Sequence, residues 1–160
     1  MSTFSHVNTG GEANMVDVSE KATTVRQATA EGYLYTNASV LTQISDAKIA
    51  KGDVFAVARV AGIQGAKRCA DLIPLCHPLA LSKVDIEFQV EPENGRIKAT
   101  CFCKLSGKTG VEMEALTGVN IALLTLFDMC KAIDPAMHIE GVKVLEKVGG
   151  KTGHWQNTSE

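Results

Sequence analysis

From Lys83 to Glu91 apolar and polar residues alternate without a break, with Val84, Ile86, Phe88 and Val90 on one side and Asp85, Glu87 and Gln89 on the other. A period of two commits the stretch to a strand with one face in water and one face buried. Pro92-Glu93-Asn94-Gly95 is a turn, after which Ile97, Ala99, Cys101, Cys103 and Leu105 resume the alternation. The two strands read as an antiparallel hairpin. Something must cover its apolar face, and the next segment supplies it: residues 111–132 read as a long helix. From Ile121 to Cys130 that helix is apolar nearly all round, which predicts burial against a second subunit as well as against the sheet.

The rest of the chain fits around this unit. Residues 1–14 are polar, carry Gly10-Gly11 and are expected to form a flexible arm. Residues 23–36 are rich in Thr, Val and Tyr and read as a strand, although Ala28, Ala30 and Gly32 dilute the signal. Residues 38–48 read as a short helix. Gly52-Asp53 marks a break and an N-cap, and Val54, Val57, Ala58, Ala61 and Cys69 then recur with helical spacing until Pro74. A last strand is expected over 137–148, and Gly149-Gly150-Lys151-Thr152-Gly153 opens a flexible tail, 149–160. Strand, helices, hairpin, helix, strand is the split βαβ order of a ferredoxin-like α+β fold, an antiparallel sheet with helices packed on one face. With 160 residues, one core over 15–148 is the expectation.

Charge and cysteine content narrow the classes of function. Sixteen Lys and Arg oppose eighteen Asp and Glu, so no field of one sign exists to hold a long nucleic acid. A small anion needs only a local basic cluster. No apolar run reaches the ~20 residues of a membrane span, and Met1-Ser2-Thr3 begins no signal peptide, so the expectation is a cytoplasmic protein without membrane partners. The five cysteines include no CxxC pair, which argues against a disulfide framework and a four-thiolate zinc site. Cys101 and Cys103 share one strand face and read as core fillers.

Two segments are too specific for packing alone. Asp71-Leu72-Ile73-Pro74-Leu75-Cys76-His77-Pro78 holds a His between two prolines, on backbone kept extended. Neighbours on such a segment point to opposite sides, so Cys76 and His77 make a poor nucleophile–base pair. His77 is either a hydrogen-bonded structural residue or a phosphate donor and proton carrier. The second segment, Gly107-Lys108-Thr109-Gly110-Val111-Glu112-Met113-Glu114, sets two glycines and two carboxylates at a helix mouth. It is not a P-loop, because Phe102 stands where that motif needs Gly. It is either an anion-binding turn or a tight strand-to-helix connection.

Glu112 and Glu114 offset the helix dipole, which is reason enough for either one. Asp128 and Lys131, three apart, are by default an exposed ion pair; at the edge of the buried run Leu123, Leu124, Leu126 and Phe127 they are also candidates for an acid/base pair. Glu114 and Asp128 project within about 40° of each other but stand about 21 Å apart along the axis. A site using both is most simply shared between two subunits, or takes a ligand as elongated as a nucleoside triphosphate. Lys51 and Lys67 are individually solvated lysines that only their company makes candidates.

DLIPLCHPL from Asp71 to Leu79, KTGVEMEALT from Lys108 to Thr117, DMCKA from Asp128 to Ala132, MVDVS from Met15 to Ser19 and KGDVFA from Lys51 to Ala56 resemble the MoaC family, the cyclic pyranopterin monophosphate synthases of molybdenum cofactor biosynthesis. The likeness runs from Met15 to Gly153. It implies a ferredoxin-like subunit in a homohexamer, a trimer of dimers, with active sites at dimer interfaces. It implies a lyase that converts a cyclised dihydro-GTP, made by a radical SAM GTP cyclase, to cyclic pyranopterin monophosphate and diphosphate. No metal is required on this reading, although a triphosphate can bring Mg²⁺. Asp128 matches the catalytic Asp, with Lys131 and Lys51 as further acid/base groups. Leu75, Cys76, His77, Met113 and Glu114 match substrate-binding positions, and Glu112, Lys67, Arg26 and Lys147 match charged positions lining the pocket. The alternative is a nucleotide-binding regulatory oligomer without catalysis.

Overall fold

The hairpin lies where the alternation puts it. In the computed structural model, which describes residues 4–46 and 53–159, β2 (Lys83–Glu91) and β3 (Arg96–Gly107) pair antiparallel, with Ile86 opposite Cys101 and Phe88 opposite Ala99. Gly95 closes the turn in the left-handed conformation, at φ 62°, which glycine adopts without steric cost. Before the hairpin come β1 (Thr24–Tyr35), α1 (Ala38–Ser45), α2 (Val54–Lys67) and the single turn α3 (Cys69–Leu72); after it come α4 (Glu112–Cys130), β4 (His138–Val148) and β5 (His154–Gln156). Residues 47–52, including Lys51 and the end of the helix expected to reach 48, lie outside the described residues.

Among the described residues the strands form one antiparallel sheet in the order β2-β3-β1-β4-β5. The architecture is α+β and consistent with the split βαβ pattern. β1 becomes a central strand despite its small residues because these are what the helix layer requires. Ala28, Ala30 and Leu34 are fully buried in register with Cys103, Cys101 and Ile97 of β3. A Cβ on Gly32 would stand 2.8 Å from Leu123 and 2.9 Å from both Val119 and Val142. The pairing of β1 with β4 slips at two places, and Gly141, at φ 68°, occupies one of these bulges.

Both central helices lie on the apolar face. α4 buries Ala115, Val119, Ala122, Leu123 and Leu126 against the sheet, and α2 packs alongside α4 on the same face, over β2. That approach runs over glycines: a Cβ on Gly62 would meet Ile86 and stand 2.9 Å from the Gly118 carbonyl, and one on Gly65 would stand 2.7 Å from Ile121. The near-continuous apolar run of α4, read from sequence as a sign of a second subunit, is thus largely covered within the chain, with Leu124 left exposed. In length and composition α4 could also cross a membrane, contrary to the expectation that no run comes close. Here it is the core helix of the domain. Helices begin as their caps dictate, with the side chains of Asn37 and Asp53 accepting from the amides of Val40 and Ala56.

Alternation does not signal one element. Past Gly149 and Gly150 the chain turns back, and β5 pairs with β4, setting Trp155 opposite Lys147 and His154 opposite Val148.

Candidate functional site

β3 ends at Gly107, and a four-residue connection swings the chain into α4. A Cβ on Gly110 would meet the Glu112 carboxylate, so a larger residue there would displace that side chain. No side chain caps α4, so its first amides are left for other partners. Around this mouth three buried polar atoms have no hydrogen-bond partner: Thr109 Oγ1, Glu112 Oε2 and Glu114 Oε2. Orphaned polar atoms are costly, and three of them gather at one helix start.

Burial sets Glu114 apart from a carboxylate that only offsets a helix dipole. A carboxylate that merely complements a helix terminus remains in water, whereas Glu114 is 3% exposed. Burial, aided by the charge of Glu112, raises its pKa to about 7. It is therefore a group that can hold or release a proton near neutrality.

Two adjoining cavities open here. The smaller, about 240 Å³, is bounded by Leu75, Cys76, His77, Thr109, Met113 and Glu114, with Val16 and Val18 across from them. The larger, about 690 Å³, is bounded by Arg26, Lys21, Lys147 and Lys151 and by the turn at Gly149 and Gly150. Lys21, Gly110 and Glu112 line both. One side is thus a recess with the buried Glu114 carboxyl and the half-buried Glu112, the other a trough where four cationic side chains outnumber Glu20 and Glu112.

The segment after the arm closes over this region through specific bonds. His77 Nε2 is hydrogen-bonded to the Val16 carbonyl, and Lys108 Nζ donates to the Ser19 carbonyl at 3.0 Å. Arg26 donates to Thr24 Oγ1 at 2.7 Å and to the Lys108 carbonyl at 3.3 Å, so its guanidinium is fixed at the trough wall. Lys147 stands 4.0 Å from Glu112 Oε1. The segment expected to be extended makes a turn before Cys76, whose amide donates to the Ile73 carbonyl at 3.1 Å; the Cys76 sulfur accepts from the Cys69 thiol over 3.9 Å, while His77 bonds to Val16. Burial, with Cys69 beside it, pushes the Cys76 thiol up to about 12, so it is no nucleophile at neutral pH.

Of the positions named from sequence, Leu75, Cys76, His77, Glu112, Met113, Glu114, Arg26 and Lys147 come together around these cavities. Asp128, Lys131 and Lys67 do not line them. Asp128 and Lys131 are ion-paired at 2.7 Å on the last turn of α4, with side chains 64% and 55% exposed. The apolar run beside them faces inward, so within one chain they are not the buried-edge pair that the sequence suggests. Lys67 is exposed at the end of α2, and Lys51 lies outside the described residues. Sequence reasoning passed over Thr109, Lys21, Lys151 and Cys69. The lysines sit singly in polar loops, which carry no pattern, and Cys69 falls on the same helical spacing as core residues.

With the site in view, comparison with known families adds one finding. Residues 15–150, which hold β1 through β4 and all eight of these clustered positions, match the family model described as MoaC family. The chain therefore belongs to the MoaC family, whose work is molybdenum cofactor biosynthesis.

Proposed function

We propose that the protein is cyclic pyranopterin monophosphate synthase, a phosphorus–oxygen lyase acting on 3',8-cyclo-7,8-dihydroguanosine 5'-triphosphate. The observation that carries this reading is the junction of the two cavities at the α4 mouth, where buried Glu114 meets a trough lined by Arg26, Lys21, Lys147 and Lys151. A guanine-derived nucleotide has that polarity. Its guanidine-like edge donates hydrogen bonds and suits Glu114 and Glu112, while its triphosphate suits the cations. Arg and Lys around the phosphates also stabilise departing diphosphate, and Mg²⁺ can accompany the triphosphate.

Proton transfer during ring rearrangement falls to Asp128, Lys131 and Lys51. On α4 the axial separation of Asp128 from Glu114 is about 21 Å, so the groups that act together come from two copies of the chain. This supports an oligomer with interface active sites, the homohexamer of the family being its natural form. His77, its Nε2 held by the Val16 carbonyl, lines the recess as a proton carrier.

The test mixes purified protein with the cyclised dihydro-GTP and follows diphosphate together with cyclic pyranopterin monophosphate. Wild type is expected to form both products; Asp128→Asn is expected to bind substrate and to turn over about 10²–10⁴-fold more slowly. Binding without product in the folded wild-type oligomer would favour the regulatory nucleotide-binding reading instead.

A further inference from the structure

At the back of the smaller cavity three side chains from separate elements converge. Cys69 opens α3, Cys76 lies on the extended segment before His77, and Glu114 sits in the first turn of α4. Their Sγ, Sγ and carboxylate oxygen atoms all lie within 4.8 Å of one another. The two sulfurs are 3.9 Å apart. Two thiolates on one tetrahedral zinc, each at ~2.3 Å, stand about 3.8 Å apart, whereas a disulfide closes to ~2.05 Å. The pair is already spaced for a shared metal.

Two independent observations point the same way. Glu114 is 3% exposed, and its Oε2 has no hydrogen-bond partner. The Thr117 hydroxyl donates to Cys69 Sγ at 3.4 Å, the kind of outer contact that orients a sulfur ligand and favours its thiolate. The charges that act on Cys69, Cys76 and Glu114 come from one another and from Glu112. A cation placed among them would satisfy what these groups lack. Cys101 and Cys103 offer a contrast: their sulfurs are 3.8 Å apart, but both are fully buried and no carboxylate completes the set.

We propose that Cys69, Cys76 and Glu114 bind one thiophilic divalent cation of the zinc class, with a fourth position open to the cavity that Cys76 and Glu114 line. The site goes beyond the proposed reaction and does not depend on it. Its occupation would draw Cys76 and Glu114 onto the metal and away from a ligand in the recess.

Metal binding is read directly, so its failure and the failure of the lyase reading are separate results. The reduced, metal-stripped full chain is titrated with Co²⁺, then with Zn²⁺ in competition with a chromophoric chelator. Expected are one equivalent per chain, a thiolate-to-cobalt charge-transfer band, and displacement of that band by Zn²⁺. Cys69→Ser, Cys76→Ser and Glu114→Gln should each weaken Zn²⁺ binding at least tenfold, in line with the loss of a metal ligand. Cys69 is buried and its variant can fail to fold, so circular dichroism selects folded chains, and Cys76→Ser with Glu114→Gln carry the test. Absence of the charge-transfer band, no Zn²⁺ bound at micromolar concentration, or affinity unchanged in the folded variants would overturn the proposal.

Discussion

Asp134, in the loop between α4 and β4, shows how one carboxylate ties distant segments. It accepts hydrogen bonds from Thr36 Oγ1 at 2.9 Å, from the Asn37 amide at 3.1 Å and from the Ala136 amide at 3.0 Å, joining the end of β1 and the cap of α1 to the far end of the core helix. Burial by itself pushes its carboxyl up, but the three donors together outweigh it and hold the pKa below the usual value. A carboxylate depressed in the folded state adds stability above its unfolded pKa of ~3.9, and that contribution fades as pH falls through the folded value. Asp134→Asn should therefore be less stable than wild type at pH 7, with the difference shrinking as the pH falls below about 4. Urea midpoints at both pH values measure this, and parallel curves would show that Asp134 adds no such linkage. At the same scale, and on the proposed function, Arg26→Ala should raise KM for the triphosphate and also lower kcat, since the trough-lining cation would both hold the phosphates and stabilise departing diphosphate; steady-state kinetics with both parameters unchanged would remove Arg26 from the site.

Packing of α2 on α4 depends on what is missing from their contact. Gly62→Ala adds helix propensity of up to ~1 kcal/mol, yet the new methyl would meet Ile86 and the Gly118 carbonyl, and backbone cannot yield. Overpacking of about 1–3 kcal/mol should win, seen as a lower Tm by calorimetry. A gain in Tm would mean that the two helices can separate freely. This is also where the limits of sequence reading become plain. Alternation revealed β2 and β3, because one face of each must be wet and the other dry. It was faint in β1, where Ala28, Ala30 and Gly32 answer to the bulk of α4 rather than to strand propensity. The run on α4 declared burial but not what would cover it, since α2 is just as apolar as a second subunit. β5 was invisible because a three-residue strand needs only the geometry of Gly149 and Gly150 and a free edge on β4.

For the molecule as a whole, the clustered positions lie at one end of α4 and Asp128 and Lys131 at the other, and on the proposed function they would be two halves of a site that one chain does not unite. The motifs themselves were readable, because Pro74 and Pro78 restrict the backbone and Gly107 and Gly110 bracket a short strand-to-helix connection. How far apart they stand was readable only along one helix. If two subunits complete one site, mixing Asp128→Asn protein with His77→Ala protein under conditions that exchange subunits should restore part of the activity that neither has alone. A mixture as inactive as its components would place all groups of each site within a single chain.

The tail bears one further consequence. The chain contains a single tryptophan, Trp155, which β5 holds opposite Lys147 beside the cationic trough at 40% exposure. Indole emission from this protein thus reports one location, across the β4–β5 ladder from a lysine that lines the trough, where the proposed function expects phosphates to bind. Diphosphate added to unlabelled protein should change that emission, and Lys147→Ala should blunt the change. The fold has, in effect, installed its own optical gauge of site occupancy.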